Sequence, residues 1–284
     1  MSYGPYRIFL VDSAPGDARP VLLLIHGFPT ASWDFAPIWA ALTEHFRVVT
    51  ADMLGFGFSS KPRHNHTYSI MSQADLMEAV LAHLAVDHYQ VLAHDYGDTV
   101  AQELLARDRL RQQPRILSAC LLNGGLFPET HRPRPVQRLM LSPLGGLAGR
   151  FLGQSAFNRS MGNVFGPDTP PSRETLEGFW RLVREKDGHR LMHKLIRYMV
   201  DRRVHRERWL QALTGARCPL ALINGSADPV SGAHMVARYR ELVGETFIAE
   251  LPGIGHYPQL EAPDQVLSQY RRFLREAKLP GSSG

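Results

Sequence analysis

Seven short runs rich in leucine and β-branched residues punctuate the chain: Ile8–Val11, Val21–Ile25, Arg47–Ala51, Gln90–Ala93, Ile116–Leu122, Leu220–Ile223 and Phe247–Leu251. Between many of them lie stretches with apolar residues near helical spacing, at Asp34–His45, Ser72–Leu84, Asp98–Arg109, Ala233–Leu242 and Pro263–Arg275. Pro263 suits a first helical position, where its missing N–H costs nothing. A strand that is apolar along its length has no face to offer water and must be covered on both sides. The alternation therefore predicts an α/β fold, a mostly parallel sheet with helices on both faces.

The alternation breaks between Phe127 and Gln211. A proline-rich run, His131–Pro135, is followed by Gly145, Gly146 and Gly149 and by the turn cluster Gly166–Pro171. Helix-like segments come next, around Thr175–Lys186, Arg190–Val200 and Arg206–Leu213. A helical insertion between two strands of one sheet fits this better than two consecutive domains. The expected division is a core from 1–126 and 212–280, an insertion from 127–211, and a foreign tail at 281–284 outside the fold.

A chain of 284 residues, 44% apolar and 21% charged, can bury one large core without disulfide staples. The longest apolar run, Val21–Ile25, is far short of the roughly 18 residues needed to span a bilayer. Met1–Leu10 shows no signal-peptide pattern. Cys120, in an apolar strand, and Cys218, at the start of another, supply neither a disulfide framework nor a zinc site. These features predict a reduced, cytoplasmic protein with no transmembrane segment, metal or cofactor. The formal charge is +5, and Arg181–Arg208 carries ten Lys or Arg against four acids. With no aromatic interleaving and no nucleic-acid motif, that stretch reads as solvated helix faces.

The strongest chemical signal is Val91-Leu92-Ala93-His94-Asp95-Tyr96-Gly97-Asp98, which runs from a strand directly into a helix. Small residues flank Asp95 on both sides, the nucleophile-elbow pattern with Asp in place of Ser. His26-Gly27-Phe28-Pro29 follows the Val21–Ile25 strand. The backbone N–H groups of Phe28 and Tyr96 are the candidate oxyanion hole, and His26 reads as a structural pin for the loop. Asp228 follows the Leu220–Ile223 strand and His256 the Phe247–Leu251 strand. Gly55-x-Gly57 lacks the third glycine of a dinucleotide fingerprint and reads as a turn. His64-Asn65-His66 reads as a polar loop.

Nucleophile, acid and histidine, each just past a strand, stand in the order of the α/β-hydrolases. Over nearly its full length the chain resembles the epoxide hydrolase and haloalkane dehalogenase branch of that superfamily. Leu54-Gly55-Phe56-Gly57-Phe58-Ser59, Asn123–Pro133 and His256-Tyr257-Pro258-Gln259-Leu260-Glu261 look most like the mesoderm-specific transcript subgroup, without its N-terminal membrane segment. The resemblance implies an α/β-hydrolase fold with 127–211 as its helical lid. It implies a catalytic triad of Asp95, Asp228 and His256 acting on a small apolar organic substrate and water.

An Asp nucleophile points to attack on an sp³ carbon and a covalent alkyl ester. His256 would activate the water that cleaves it and Asp228 would orient the imidazole. Epoxide opening to a vicinal diol leads. The family commonly protonates the epoxide oxygen with lid tyrosines, and Tyr198 is the single tyrosine of the insertion. Dehalogenases of the branch carry Trp after the nucleophile and, in many, Asn in the HG-x-P position, where this chain has Tyr96 and Phe28. Haloalkane dehalogenation is the alternative; an esterase or acyl-transfer enzyme and a non-catalytic receptor on the same scaffold are further ones. Trp33 and Trp180 are candidate pocket-lining residues, with packing roles equally open for Trp33; Trp180 and Trp209 also read as lid core.

Overall fold

The computed structural model describes residues 1–63 and 68–282. His64-Asn65-His66, Ser283 and Gly284 therefore lie outside the described residues. A short hairpin, β1 (Ser2–Tyr3) with β2 (Tyr6–Arg7), opens the chain. Then come β3 (Leu10–Asp12), β4 (Val21–Ile25), α1 (Ala36–Thr43), β5 (Arg47–Ala51), α2 (Ile70–His83), β6 (Tyr89–His94), α3 (Tyr96–Asp108) and β7 (Ile116–Leu122). Seven α-helices follow among the described residues without a strand: α4 (Pro135–Leu141), α5 (Gly145–Arg150), α6 (Gln154–Gly162), α7 (Arg173–Arg184), α8 (Met192–Leu195), α9 (Tyr198–Val204) and α10 (Arg206–Thr214). The chain then returns through β8 (Leu220–Gly225), α11 (Ala233–Leu242), β9 (Phe247–Leu251), α12 (Pro258–Glu261) and α13 (Pro263–Glu276).

Among the described residues, β3 to β9 form one sheet in the order β3-β5-β4-β6-β7-β8-β9. All neighbours run parallel except the edge strand β3, which pairs antiparallel with β5. The alternation of side chains along each strand divides the core into two layers. Leu23, Ile25, Val91, Ala93, Leu121 and Leu222 face one layer with α2, α3 and α11. Leu22, Leu24, Leu92, Cys120, Leu122 and Ile223 face the other. There α13 lays down Val266, Tyr270, Phe273 and Leu274, a stripe at helical spacing that is fully buried. Each such large apolar side chain contributes about 1.5–3 kcal/mol by leaving water.

The sheet confirms the mostly parallel α/β reading, with local corrections. The first strand begins at Leu10 rather than Ile8, and the N-terminal hairpin carried no recognised signal. Helices α4 to α6 occupy the stretch read as proline and glycine turns. Pro135 sits at the start of α4, where proline initiates rather than breaks a helix. Gly145 and Gly149 are buried in α5, where the helix presses against Met140, His189 and Arg190. At the end of the core Gln90 donates to the Pro280 carbonyl, and Gly281 lies against the Phe46 ring.

Candidate active site

The strand order reverses between β4 and β6, because the chain goes from β4 out to β5 and returns to the far side of β4. Open α/β sheets bind ligands at the carboxyl ends of strands beside such a switch point. Asp95 stands there, between β6 and α3, at φ 48° and ψ −103°. Left-handed backbone at a non-glycine residue stores about 1–3 kcal/mol of strain, held here by packing on both sides. A Cβ on Gly97 would sit 2.2 Å from the Ile25 carbonyl oxygen, and one on Gly27 would sit 2.6 Å from His94 Nδ1. Only glycine lets α3 approach β4 closely enough to turn Asp95 into the site.

The Phe28 amide donates to Asp95 Oδ2 at 3.1 Å. Tyr96 is the first residue of α3, so its N–H belongs to the amides with no partner inside the helix. His26 holds the Phe28 loop as expected: its Nδ1–H donates to the Gly27 carbonyl and its Nε2 accepts from the Met53 amide. Gly55 and Gly57 have φ of 94° and 44° and form a turn.

Asp228 accepts from His256 Nδ1 at 2.7 Å. His256 Nε2 lies 3.9 Å from Asp95 Oδ1. The structure thus gathers Asp95, Asp228 and His256, residues far apart in the chain, into one buried cluster. Burial pushes the His256 imidazole down, but the charges of Asp228 and Asp95 outweigh it and hold the ring well above its ordinary value. Burial opposes the ionisation of Asp95, yet His256 and then Arg202 hold its carboxyl below the carboxylate range. The neighbouring His94 is pushed down to about 4 by burial and by His256, so it is neutral at pH 7. Its Nε2–H donates to the His256 carbonyl at 2.8 Å.

Three further residues of this cluster have no role assigned to them by the sequence. Asn123, at the end of β7 with φ 47°, donates to Asp228 Oδ2 at 3.1 Å. Ser231 Oγ and the Val230 amide complete the set around that carboxylate. An Asn-Gly-Gly turn directly after an apolar strand was the available hint. Glu261 is the second: Oε2 accepts from the Gly166 and Gly255 amides, each at 2.8 Å, and Oε1 from the Tyr257 amide at 2.9 Å.

The third is Arg202, which corrects the reading of 181–208 as uniformly solvated. It is 2% exposed, donates from Nε to Thr99 Oγ1 at 2.8 Å and from Nη2 to the Asp95 carbonyl at 3.2 Å. Other members of the stretch are ion-paired, Arg206 with Glu129 and Arg208 with the buried Glu103.

Above Asp95 and His256 opens a cavity of about 80 Å³. Its walls are mostly apolar, from Phe28, Val136, Met140, Leu152, Phe157, Met161, Ile196 and Val230, with Arg134, Gln137 and Ser160 as polar side chains from the helical insertion. Tyr198 does not line this cavity, and of the two roles open to Trp33 and Trp180 the structure shows packing. Tyr198 is buried behind this surface, its ring wedged 5.0 Å from that of Tyr96 and 5.9 Å from that of Phe28. Arg202, one turn later on α9, lies over its other side at 4.5 Å and closes the packing. Trp33 faces outward, 40% exposed, with its ring edge-on to Phe179 and seated over Gly178. Trp180 packs 5.3 Å from Phe157 and backs the wall without lining it. Trp209 is insertion core, as read, with its indole N–H on Glu103. No group of His, Cys, Asp and Glu among the described residues is arranged to hold a metal. No helix among them is long and apolar enough to cross a membrane.

A strained elbow past the central strand, an acid and a histidine past later strands, and a helical layer inserted before β8 define a hydrolase of the α/β class. The family described as alpha/beta hydrolase fold matches residues 20–263, and the chain belongs to it. The mesoderm-specific transcript homolog protein of Bos taurus is 42% identical over 286 aligned positions, covering 96% of this chain and 84% of that protein. LipZ of Mycobacterium tuberculosis, described provisionally as a hydrolase, is 42% identical over 254 positions, 89% of this chain and 87% of that one. Among solved structures, a haloalkane dehalogenase variant from Bradyrhizobium elkanii superposes with a TM-score of 0.78 at 20% identity, over 96% of this chain and 98% of that one.

Proposed function

We propose that the protein is a hydrolase with Asp95 as nucleophile, opening epoxides to vicinal diols beneath a lid formed by residues 127–211. The observation that carries this reading is the dissymmetry of the Asp95 carboxylate. Oδ2 is engaged by the Phe28 amide at 3.1 Å, whereas Oδ1 makes no bond that short and lies on the side of His256. An ionised carboxylate with one oxygen anchored attacks with the other, and no base is needed for that step.

Attack by Oδ1 breaks the C–O bond of the epoxide, and the opened oxygen takes up a proton. Water then gives a proton to His256 Nε2 and attacks Cγ of the ester. The Phe28 and Tyr96 N–H groups receive the oxyanion that forms at Oδ2. Asp228 holds Nδ1–H and stabilises the imidazolium. With Tyr198 packed away from the cavity, the donor to the epoxide oxygen falls to the insertion's polar wall, Arg134, Gln137 and Ser160. The one phenol among the cavity's described lining residues, Tyr257, donates its hydroxyl to the Phe28 carbonyl at 3.4 Å, and the insertion contributes none; that favours a second reading, haloalkane dehalogenation, because a halide leaves without a proton. Ester chemistry gains no support from an Asp elbow, and a non-catalytic receptor would not need a complete triad.

His256→Gln tests the scheme. Incubated with 1,2-epoxyhexane and, separately, 1-bromohexane, the variant is expected to accumulate an alkyl adduct on the Asp95 peptide, read by mass spectrometry. The substrate that gives the adduct selects between the readings; an adduct on another peptide removes Asp95 from the role.

A further inference from the structure

Arg202 is a buried cation beside the reacting carboxylate that the scheme above leaves without a task. Its Nη2 stands 3.7 Å from Asp95 Oδ1, and among the described residues Asp95 is the one carboxylate within 4 Å of the guanidinium. Thr99 accepts from Nε and the Tyr198 ring lies under the guanidinium plane, so the group is aimed from two sides. Nη1 is buried with no partner. Taking a charge out of water is costly even when it is paired, and replacing such a charge by an apolar group often stabilises a protein. Packing alone is therefore a poor account of an arginine here.

The oxygen it faces changes charge in opposite senses in the two steps. During attack, Oδ1 passes negative charge into the new bond to carbon. A cation beside it stabilises the free carboxylate more than the transition state, and slows the step. During ester cleavage, His256 accepts one water proton as the water oxygen bonds to Cγ. The tetrahedral species then collapses: the Cγ–Oδ1 bond breaks, its electron pair goes to Oδ1, and Oδ1 leaves with the proton from His256. The remaining carboxylic acid ionises, releasing the second water proton and restoring Asp95. Here negative charge grows on Oδ1, and the same cation stabilises the transition state more than the ester.

We propose that Arg202 is a positioning residue that sets the balance of the two half-reactions, restraining alkylation of Asp95 and accelerating release of the product from the ester. The proposal rests on the Asp95 nucleophile reading and deepens it.

The test uses whichever of 1,2-epoxyhexane and 1-bromohexane the wild-type protein turns over, with rapid quenching and intact-mass measurement of the alkyl-enzyme. Arg202→Met is expected to lower the ester-cleavage rate by about 10²-fold, the size of losing one preorganised donor, with alkylation unchanged or faster. The alkyl-enzyme then dominates the steady state. Arg202→Lys should recover part of the cleavage rate. Thr99→Val, which leaves the cation in place but releases its aim, should raise the alkyl-enzyme fraction several-fold, and it carries the test if Arg202→Met does not fold. Equal slowing of both steps, or slowing of alkylation alone, overturns the proposal. His256→Gln separates the layers: no Asp95 adduct there defeats the nucleophile reading itself, whereas an adduct there with an unchanged ratio in Arg202→Met and Thr99→Val defeats the role of Arg202 alone.

Discussion

Glu261 reaches back across a tight turn to the amide of Gly255, at 2.8 Å, and so fences in the histidine that follows it. The same carboxylate takes the Gly166 and Tyr257 amides and the Thr169 hydroxyl. A glutamine in its place must turn an NH₂ toward some of these donors. Glu261→Gln is expected to destabilise the protein by about 2–3 kcal/mol, since bonds to a charged acceptor are lost and N–H groups are left unpaired. Ester cleavage should fall more than alkylation, because the loop positions His256 and not Asp95. Thermal denaturation and single-turnover kinetics together check this; an unchanged melting temperature would show that the fence is dispensable.

Tyr198 gives a sharper contrast between expectation and structure. As a proton donor, its loss would depress epoxide opening by about 10²–10⁴-fold and spare a haloalkane. Packed behind Phe28 and Tyr96, it should instead affect both substrates alike and slightly. Comparing Tyr198→Phe on 1,2-epoxyhexane and 1-bromohexane decides; a selective loss on the epoxide would place the hydroxyl in the reaction after all.

The pH dependence follows from the charges around His256. Burial lowers its affinity for a proton, while Asp228 and Asp95 together raise it well above the ordinary value. Alkylation removes the Asp95 charge, one of the two raising influences, so the ring should titrate at lower pH in the ester than in the free protein. Ester cleavage needs the neutral ring and is expected to rise with pH to a plateau. Its midpoint should lie below the His256 titration followed by NMR in the free protein. A midpoint at or above that titration would mean that Asp95 does not feel the imidazole.

Gly97→Ala probes the elbow. The added carbon would lie 2.2 Å from the Ile25 carbonyl oxygen, which is backbone in the central sheet and cannot turn aside. A loss of about 3 kcal/mol is expected, at the upper end for overpacking. Urea denaturation measures it, and a loss under 1 kcal/mol would show that α3 can withdraw from β4.

What was legible in the chain followed from how far each signal reaches. Ala93, Asp95 and Gly97 are neighbours along the backbone, so the turn they make is written locally. Asp228 and His256 could be found because each stands directly after its strand. Arg202 looked like one of ten similar cations, since the groups that distinguish it, Asp95 and Thr99, lie more than a hundred residues away. Asn123 and Glu261 stand within segments that carry the family resemblance, yet their partners exist only after folding. Helices α4 to α6 were hidden because glycine and proline signal turns in isolation, while here they start helices or permit close contact. Tyr198 was misplaced for the converse reason: its position on the chain says nothing about which side of a wall it occupies.

The amide of His256 donates to the carbonyl of Val164, just past α6, at 2.9 Å. His256 is thereby tethered to the inserted layer as well as to its own strand. Any opening that carried Val164 outward would strain or break that tether and shift the imidazole. The two segments are thereby one mechanical unit: the inserted layer cannot shift at Val164 without pulling on the backbone of His256.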